Sequence, residues 1–64
     1  MCEAKVFLES KSGHELVMKD VVTIKPAGDS LELLDLFGEK KVISADIKEI
    51  KLLDHKVILE PRSK

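Results

Sequence analysis

Short apolar runs separated by turn-forming residues dominate this sequence and set the kind of fold that it can adopt. In the first run, residues 4–9, the apolar Ala4, Val6 and Leu8 alternate with other residues. Since the side chains of a strand point alternately to its two faces, this spacing predicts a β-strand with one buried face. The strongest turn signal is residues 26–29, where proline pre-sets φ and glycine follows soon after. The repeated pattern of run and turn indicates an all-β chain.

The same signals divide the chain into five or six strands, which is typical of a small barrel or sandwich. Residues 45–53 are ambiguous, because Ile47, Ile50 and Leu53 also fit a helical spacing, and we favour a strand from Ile47 onward. Leucines on both faces of residues 30–36 indicate burial on both sides, as in a small closed barrel or at a dimer contact. The expected strands are residues 4–9, 15–18 continuing as 21–25 with a bend near Lys19 and Asp20, 30–36, 41–44, 47 onward, and 57–60, which Pro61 ends.

The length of 64 residues limits the chain to one domain, residues 1–64, with a small core. A chain this short buries about 60% of the surface that it exposes when unfolded, which leaves its stability marginal. Such chains usually gain stability from disulfides, a metal or a partner subunit. Cys2 is the only cysteine, so an internal disulfide is excluded. We therefore expect a homo-oligomer, and a bound metal is a second source of stability.

Charge and aromatic content argue against a nucleic-acid-binding protein. The 11 basic and 12 acidic residues give a net charge of −1, whereas such proteins are usually strongly basic. Phe7 and Phe37 are the only residues of the Phe, Tyr and Trp class, and we expect both in the core or at an interface. No uncharged stretch approaches the ~20 apolar residues that span a bilayer, and no secretory signal is recognisable. We expect a cytoplasmic protein with a reduced thiol.

Motifs of known catalytic sites are absent from the sequence. The three glycines are isolated from one another, which excludes a phosphate-binding loop and a dinucleotide fingerprint. There is no CxxC, HExxH or paired-cysteine zinc pattern, and no serine lies on a nucleophile elbow. We therefore expect a protein that is not an enzyme.

The one unusual feature is Cys2, which places the only thiol next to the α-amine of the chain. The Met1 amine, the Cys2 amide nitrogen and the Cys2 thiolate can together bind one ion through fused five-membered rings. Amide nitrogen combined with thiolate favours square-planar Ni(II) or Cu(II) over tetrahedral zinc. The alternative is that Cys2 is a small apolar residue at the start of a strand.

The two histidines are candidates for additional metal ligands. His14 and His55 each lie in a predicted turn, and neutral imidazole suits nickel. The spacing does not determine the distance of either histidine from Cys2. Asp35 and Glu3 are expected to take no part in the site.

Several segments occur together in this sequence: the opening MCxA followed by Val6, the DVV of residues 20–22, the Gly28 turn, the LFGE of residues 36–39 and the apolar residues 58–59. They resemble the CooT family of small nickel-binding proteins over nearly the whole chain. The resemblance implies a homodimer of five- to six-stranded Sm-like or SH3-like barrels that binds Ni(II) through the cysteine after the initiator Met. Cys2 holds that position here. The resemblance also implies that the cysteines of two subunits can share one ion.

Three hypotheses of function follow. The first is a nickel-binding accessory protein, a metallochaperone or a nickel store, that serves the maturation of a nickel enzyme such as carbon monoxide dehydrogenase. Its partners would be that enzyme or its maturation factors. The second is a small RNA- or protein-binding Sm-like scaffold in which Cys2 has no metal role. The third is a purely structural dimerisation module without a ligand.

Overall fold

Turn-forming residues divide the chain into six β-strands in a computed structural model, which describes residues 3–62. No helix occurs among these residues, and hence none that could cross a membrane. The ambiguous segment is therefore a strand, and it starts two residues before the predicted Ile47 because Ala45 pairs with Pro61. The strands are β1 (Ala4–Ser10), β2 (Gly13–Ala27), β3 (Ser30–Asp35), β4 (Lys40–Ile43), β5 (Ala45–Lys51) and β6 (Lys56–Pro61).

The six strands form one sheet in the order β4-β3-β2-β1-β6-β5. Neighbouring strands are antiparallel except for β1 and β6, which run parallel. The sheet curls into a half-barrel, with β4 and β5 as its two edges. The prediction of an all-β fold, a small barrel of five to six strands, is thus confirmed, and the number of strands is six.

The core lies on the face of the sheet toward which it curls. Val6, Leu33 and Leu59 are fully buried there, one each from β1, β3 and β6. β6 is buried on both faces, because Ile58 points the other way and lies opposite Phe7 of β1. The other buried hydrophobic residues are Met18, Val21, Leu31, Ala45 and Val57.

β2 bends at Asp20, where the sequence predicts a bend. Asp20 has a φ of 57°, a conformation that aspartate adopts more readily than most residues with a side chain. The pairing register shifts on both sides of this point, so the first half of β2 pairs with β1 and the second half with β3. Because of the bend, one long strand takes part in the pairing of both halves of the curled sheet.

The turn predicted at residues 26–29 is shorter in the structure. Pro26 remains in β2 opposite Leu31, and only Gly28 and Asp29 form the turn. Gly28 has a φ of 64°, which suits the tight two-residue hairpins that join antiparallel strands. Proline is tolerated near a strand end because it removes only one ladder hydrogen bond.

Two residues lie in surroundings that differ from those predicted. His14 is in β2 opposite Glu9 and not in a turn, because β2 already begins at Gly13. Phe37 is 79% exposed in the β3–β4 turn, so it does not belong to the core, and the interface that the sequence analysis gave as the other possibility stays a prediction. Phe7, by contrast, is half-buried on the outward face of β1.

Candidate functional site

The start of β1 is held between two neighbouring segments. On one side, the Lys5 N–H donates a 2.9 Å hydrogen bond to the carbonyl oxygen of His55, in the turn between β5 and β6. Lys5 also pairs with Lys56, the first residue of β6. On the other side, Ala4 pairs with Val21, just after the bend of β2. The backbone that leads to the N-terminus is therefore anchored on both sides.

Met1 and Cys2, the predicted metal ligands, lie outside the described residues. Two clefts lie beside the residues that follow them, one polar with a volume of about 310 Å³ and one apolar with about 240 Å³. His55 and Lys56 line both clefts. The polar cleft is also lined by Glu3, Lys5, Asp20 and Asp54, and the apolar cleft by Ala4, Ile50, Lys51, Leu52 and Val57.

Residues 3–62 contain no group of three histidine, cysteine or carboxylate side chains that could hold a metal ion. Of the two candidate histidines, His55 lies next to the start of β1 through its contact with Lys5. His14 lies opposite Glu9, near the other end of β1. About five residues of extended strand, or about 17 Å, separate it from the start of β1. Of the two histidines, only His55 therefore lies near the start of β1.

Asp35 has a structural role that the sequence analysis missed. Its side chain is buried, and its Oδ1 accepts hydrogen bonds from the N–H groups of Phe37 at 3.0 Å and Glu39 at 2.7 Å. The Gly38 N–H completes the turn by donating to the Asp35 carbonyl oxygen at 3.2 Å. An aspartate at a strand end followed by a glycine-containing turn is the sequence signal for such a contact. The carboxylate therefore holds the β3–β4 turn in place.

A third cleft, of about 410 Å³, lies between β2 and the β3–β4 turn. Of the charged groups that line it, the Asp35 carboxylate binds the turn, and Lys41 Nζ donates to the Val17 carbonyl oxygen at 3.2 Å. None of the described residues that line this cleft is a serine, threonine, cysteine or histidine. Its geometry therefore does not pair a nucleophile with a base.

Ion pairs within residues 3–62 lie away from the start of β1. Lys48 Nζ is 2.6 Å from Glu9 Oε2, and this hydrogen bond lowers the pKa of Glu9 and raises the pKa of Lys48. Lys40 Nζ is 2.9 Å from Glu32 Oε2 and lowers the pKa of Glu32 in the same way. The remaining pairs join Arg62 to Asp29 and Asp46.

Comparison with known proteins shows similarity along almost the entire chain. The family model of the CO dehydrogenase accessory protein CooT matches residues 1–60, a range that includes Met1 and Cys2. An uncharacterised protein from Methanocaldococcus jannaschii is 37% identical over 60 residues, which cover 94% of this chain and 98% of the relative. A crystal structure assigned to CooT from Carboxydothermus hydrogenoformans has a TM-score of 0.90 at 37% identity, covering 97% of this chain and 100% of that one.

Proposed function

This chain belongs to the CooT family of CO dehydrogenase accessory proteins, and on that basis we propose that it carries Ni(II) as cargo on its N-terminal Met1-Cys2 segment. An accessory protein serves an enzyme and is not itself that enzyme. The family therefore confirms the prediction that this chain is not an enzyme. The family connects the chain with a metalloenzyme, and the nickel site is our inference from the residues. A single observation carries it: the only thiol of the chain, Cys2, lies within the range that matches the family.

The donor set of the segment suits nickel. The Met1 amine, the Cys2 amide nitrogen and the Cys2 thiolate supply three donors, and strong-field nitrogen with thiolate favours a square-planar ion. Of the two candidate histidines, His55 is the one that lies next to the start of β1, because its carbonyl oxygen accepts the Lys5 N–H.

The proposed role is that of a metallochaperone or a nickel store. A site with few protein ligands leaves positions open for exchange, whereas structural metal sites are closed by four ligands. We propose that the chain is one domain over residues 1–64, acts as a cytoplasmic homodimer, and delivers nickel to carbon monoxide dehydrogenase or to its maturation factors.

Anaerobic titration of the reduced protein with Ni(II), followed by absorption spectroscopy, tests the proposal. We expect a thiolate-to-nickel charge-transfer band that saturates at one ion per chain, or at half an ion if two subunits share the site. Cys2→Ser should abolish the band because the thiolate is lost. His14→Ala is the matched control, since His14 lies in β2 opposite Glu9, far from the start of β1, and it should bind like the wild type. The proposal is wrong if Cys2→Ser titrates like the wild type.

One observation favours the alternative of an RNA-binding scaffold. Phe37 is largely exposed in a turn that leads into Lys40 and Lys41, and an exposed aromatic ring beside lysines can stack on a base. The net charge of −1 opposes it. A gel-shift assay against total RNA decides between the two: binding that persists at physiological salt supports the alternative, whereas binding at low salt only reflects nonspecific charge.

A further inference from the structure

The turn between β3 and β4 presents an aromatic ring to solvent. Phe37 is 79% exposed, and it lines the third cleft together with Leu16 of β2, which is half-exposed. We call Phe37, Leu16 and the cleft between them the Phe37 surface. Exposed apolar side chains that lie together mark interaction sites, whereas single ones carry no such meaning.

The turn that carries Phe37 is fixed in one conformation by backbone hydrogen bonds. Every N–H group of residues 35–39 donates one, two of them to the Asp35 carboxylate and two to carbonyl oxygens of the turn itself. The fifth, of Leu36, donates to the Asp20 carbonyl oxygen at 2.8 Å and ties the turn to the bend of β2. A loop that is already ordered loses little conformational entropy on binding, so the ring is presented ready for a partner.

The charges around the Phe37 surface leave one carboxylate available to a partner. Lys40, just after the turn, pairs with Glu32, and Lys41 Nζ donates to the Val17 carbonyl oxygen. The Glu39 carboxylate takes part in none of the ion pairs of the described chain. The cleft as a whole has a net charge of −1, since three carboxylates and two ammonium groups line it: Asp20, Asp35 and Glu39, and Lys19 and Lys41.

We propose that the Phe37 surface is the site at which a recipient protein docks, with an apolar pocket that takes up the ring and a lysine or arginine at its mouth that meets Glu39. Aromatic anchors that become buried dominate the affinity of protein interfaces, and opposite charges at the rim select the partner. Nucleic acid fits this surface less well, because its phosphates would meet a carboxylate while both neighbouring lysines bind the chain itself.

The Phe37 surface lies close to the N-terminal end of β1. Val21 of β2 pairs with Ala4 of β1 on one side and with Asp35, the last residue of β3, on the other. Neighbouring strands are ~4.8 Å apart, so about 10 Å separates the start of β1 from the strand end that leads into the turn. The inference rests on the proposed function for the identity of the partner: a protein that takes nickel from Cys2 can hold this turn at the same time, and on that basis the partner is carbon monoxide dehydrogenase.

Isothermal titration calorimetry of the full chain with nickel-free carbon monoxide dehydrogenase tests the surface. Phe37→Ser should weaken binding at least about 30-fold, because the ring that fills the pocket is lost. Phe37→Tyr keeps the ring and should bind nearly like the wild type. Val42→Thr is the matched control, since Val42 is 61% exposed on β4, does not line the cleft and is similar in shape to threonine, and its binding should be unchanged.

Glu39→Lys tests the charge at the rim of the surface. It should weaken binding about tenfold at low salt, and its difference from the wild type should shrink as the salt concentration rises. Glu49→Lys makes the same change on β5, at the opposite edge of the sheet from β4, and should leave binding unchanged. Circular dichroism of each variant checks that the sheet is retained.

The inference is overturned if the enzyme does not bind the wild type, if Phe37→Ser binds it as tightly as the wild type, or if Val42→Thr weakens binding equally. It also fails if Phe37→Ser changes the mass measured by analytical ultracentrifugation, which makes the surface a subunit contact. Loss of RNA binding at physiological salt in Phe37→Ser makes it an RNA surface instead.

Nickel titration of the same samples separates this inference from the proposed function. Phe37→Ser should bind nickel like the wild type, because the thiolate of Cys2 is unchanged. A wild type that binds nickel through Cys2 but does not bind the enzyme overturns the docking surface alone. Docking that depends on Phe37 in a chain that binds no nickel overturns the nickel site alone.

Discussion

At the scale of single residues, the Asp35 carboxylate determines the conformation of the β3–β4 turn. Its Oδ1 accepts two backbone N–H groups, from Phe37 and Glu39. We expect Asp35→Ala to lower the free energy of unfolding by about 1–2 kcal/mol, because both donors lose their partner. Asp35→Asn should lose less, since the amide oxygen still accepts. Urea denaturation measures both, and the exposed Asp29→Ala should stay within about 0.5 kcal/mol of the wild type. An Asp35→Ala variant as stable as the wild type would contradict this role.

At the scale of elements, the Glu9–Lys48 pair links β1 to the edge strand β5 across β6. The hydrogen bond from Lys48 holds the pKa of Glu9 below its ordinary 4.5 in the folded chain. The pair therefore stabilises the fold above pH 4.5, and this contribution is lost as the pH falls through the lower, folded pKa. At alkaline pH, the pair stabilises the fold up to pH 10.5, the ordinary pKa of lysine. This contribution is lost as the pH rises through the higher pKa that Lys48 has in the folded chain.

Replacing Glu9 tests this linkage. We expect Glu9→Gln to make unfolding less dependent on pH as the pH falls below 4.5, because the group with the lowered pKa is gone. The readout is the urea midpoint at a series of pH values. Glu15→Gln serves as the control, since Glu15 takes part in none of the ion pairs of the described chain. Equal acid sensitivity in Glu9→Gln and the wild type would show that the pair contributes nothing measurable, as many exposed ion pairs do.

At the scale of the whole molecule, stability should depend on protein concentration. If the chain forms the proposed homodimer, each tenfold rise in concentration adds about 1.4 kcal/mol to the stability of the dimer. The Tm of the wild type should therefore rise with protein concentration. Differential scanning calorimetry over a wide concentration range measures this dependence. A wild-type Tm independent of concentration would contradict a folded dimer.

Local patterns in the sequence were sufficient to predict the fold class and the family. Alternating apolar residues and turn signals act over a few neighbours, and they predicted the all-β class, five or six strands and the bend of β2 near Asp20. The opening MCxA and the scattered matching segments predicted the CooT family, which the match over residues 1–60 confirms. The metal ligands Met1 and Cys2 lie outside the described residues and remain a prediction from the sequence.

Tertiary structure alone decided what depends on pairing between distant strands. The parallel pairing of β1 with β6 joins residues about fifty positions apart, and it places the β5–β6 turn, with Leu52 and Leu53, beside the start of β1. It also buries Ile58 on the outward face opposite Phe7. Neither outcome is visible in a local pattern, because periodicity reports which face a side chain takes and not which strand will lie next to it. Local patterns thus predict the strands and the family, whereas the pairing of distant strands places the neighbours of the start of β1.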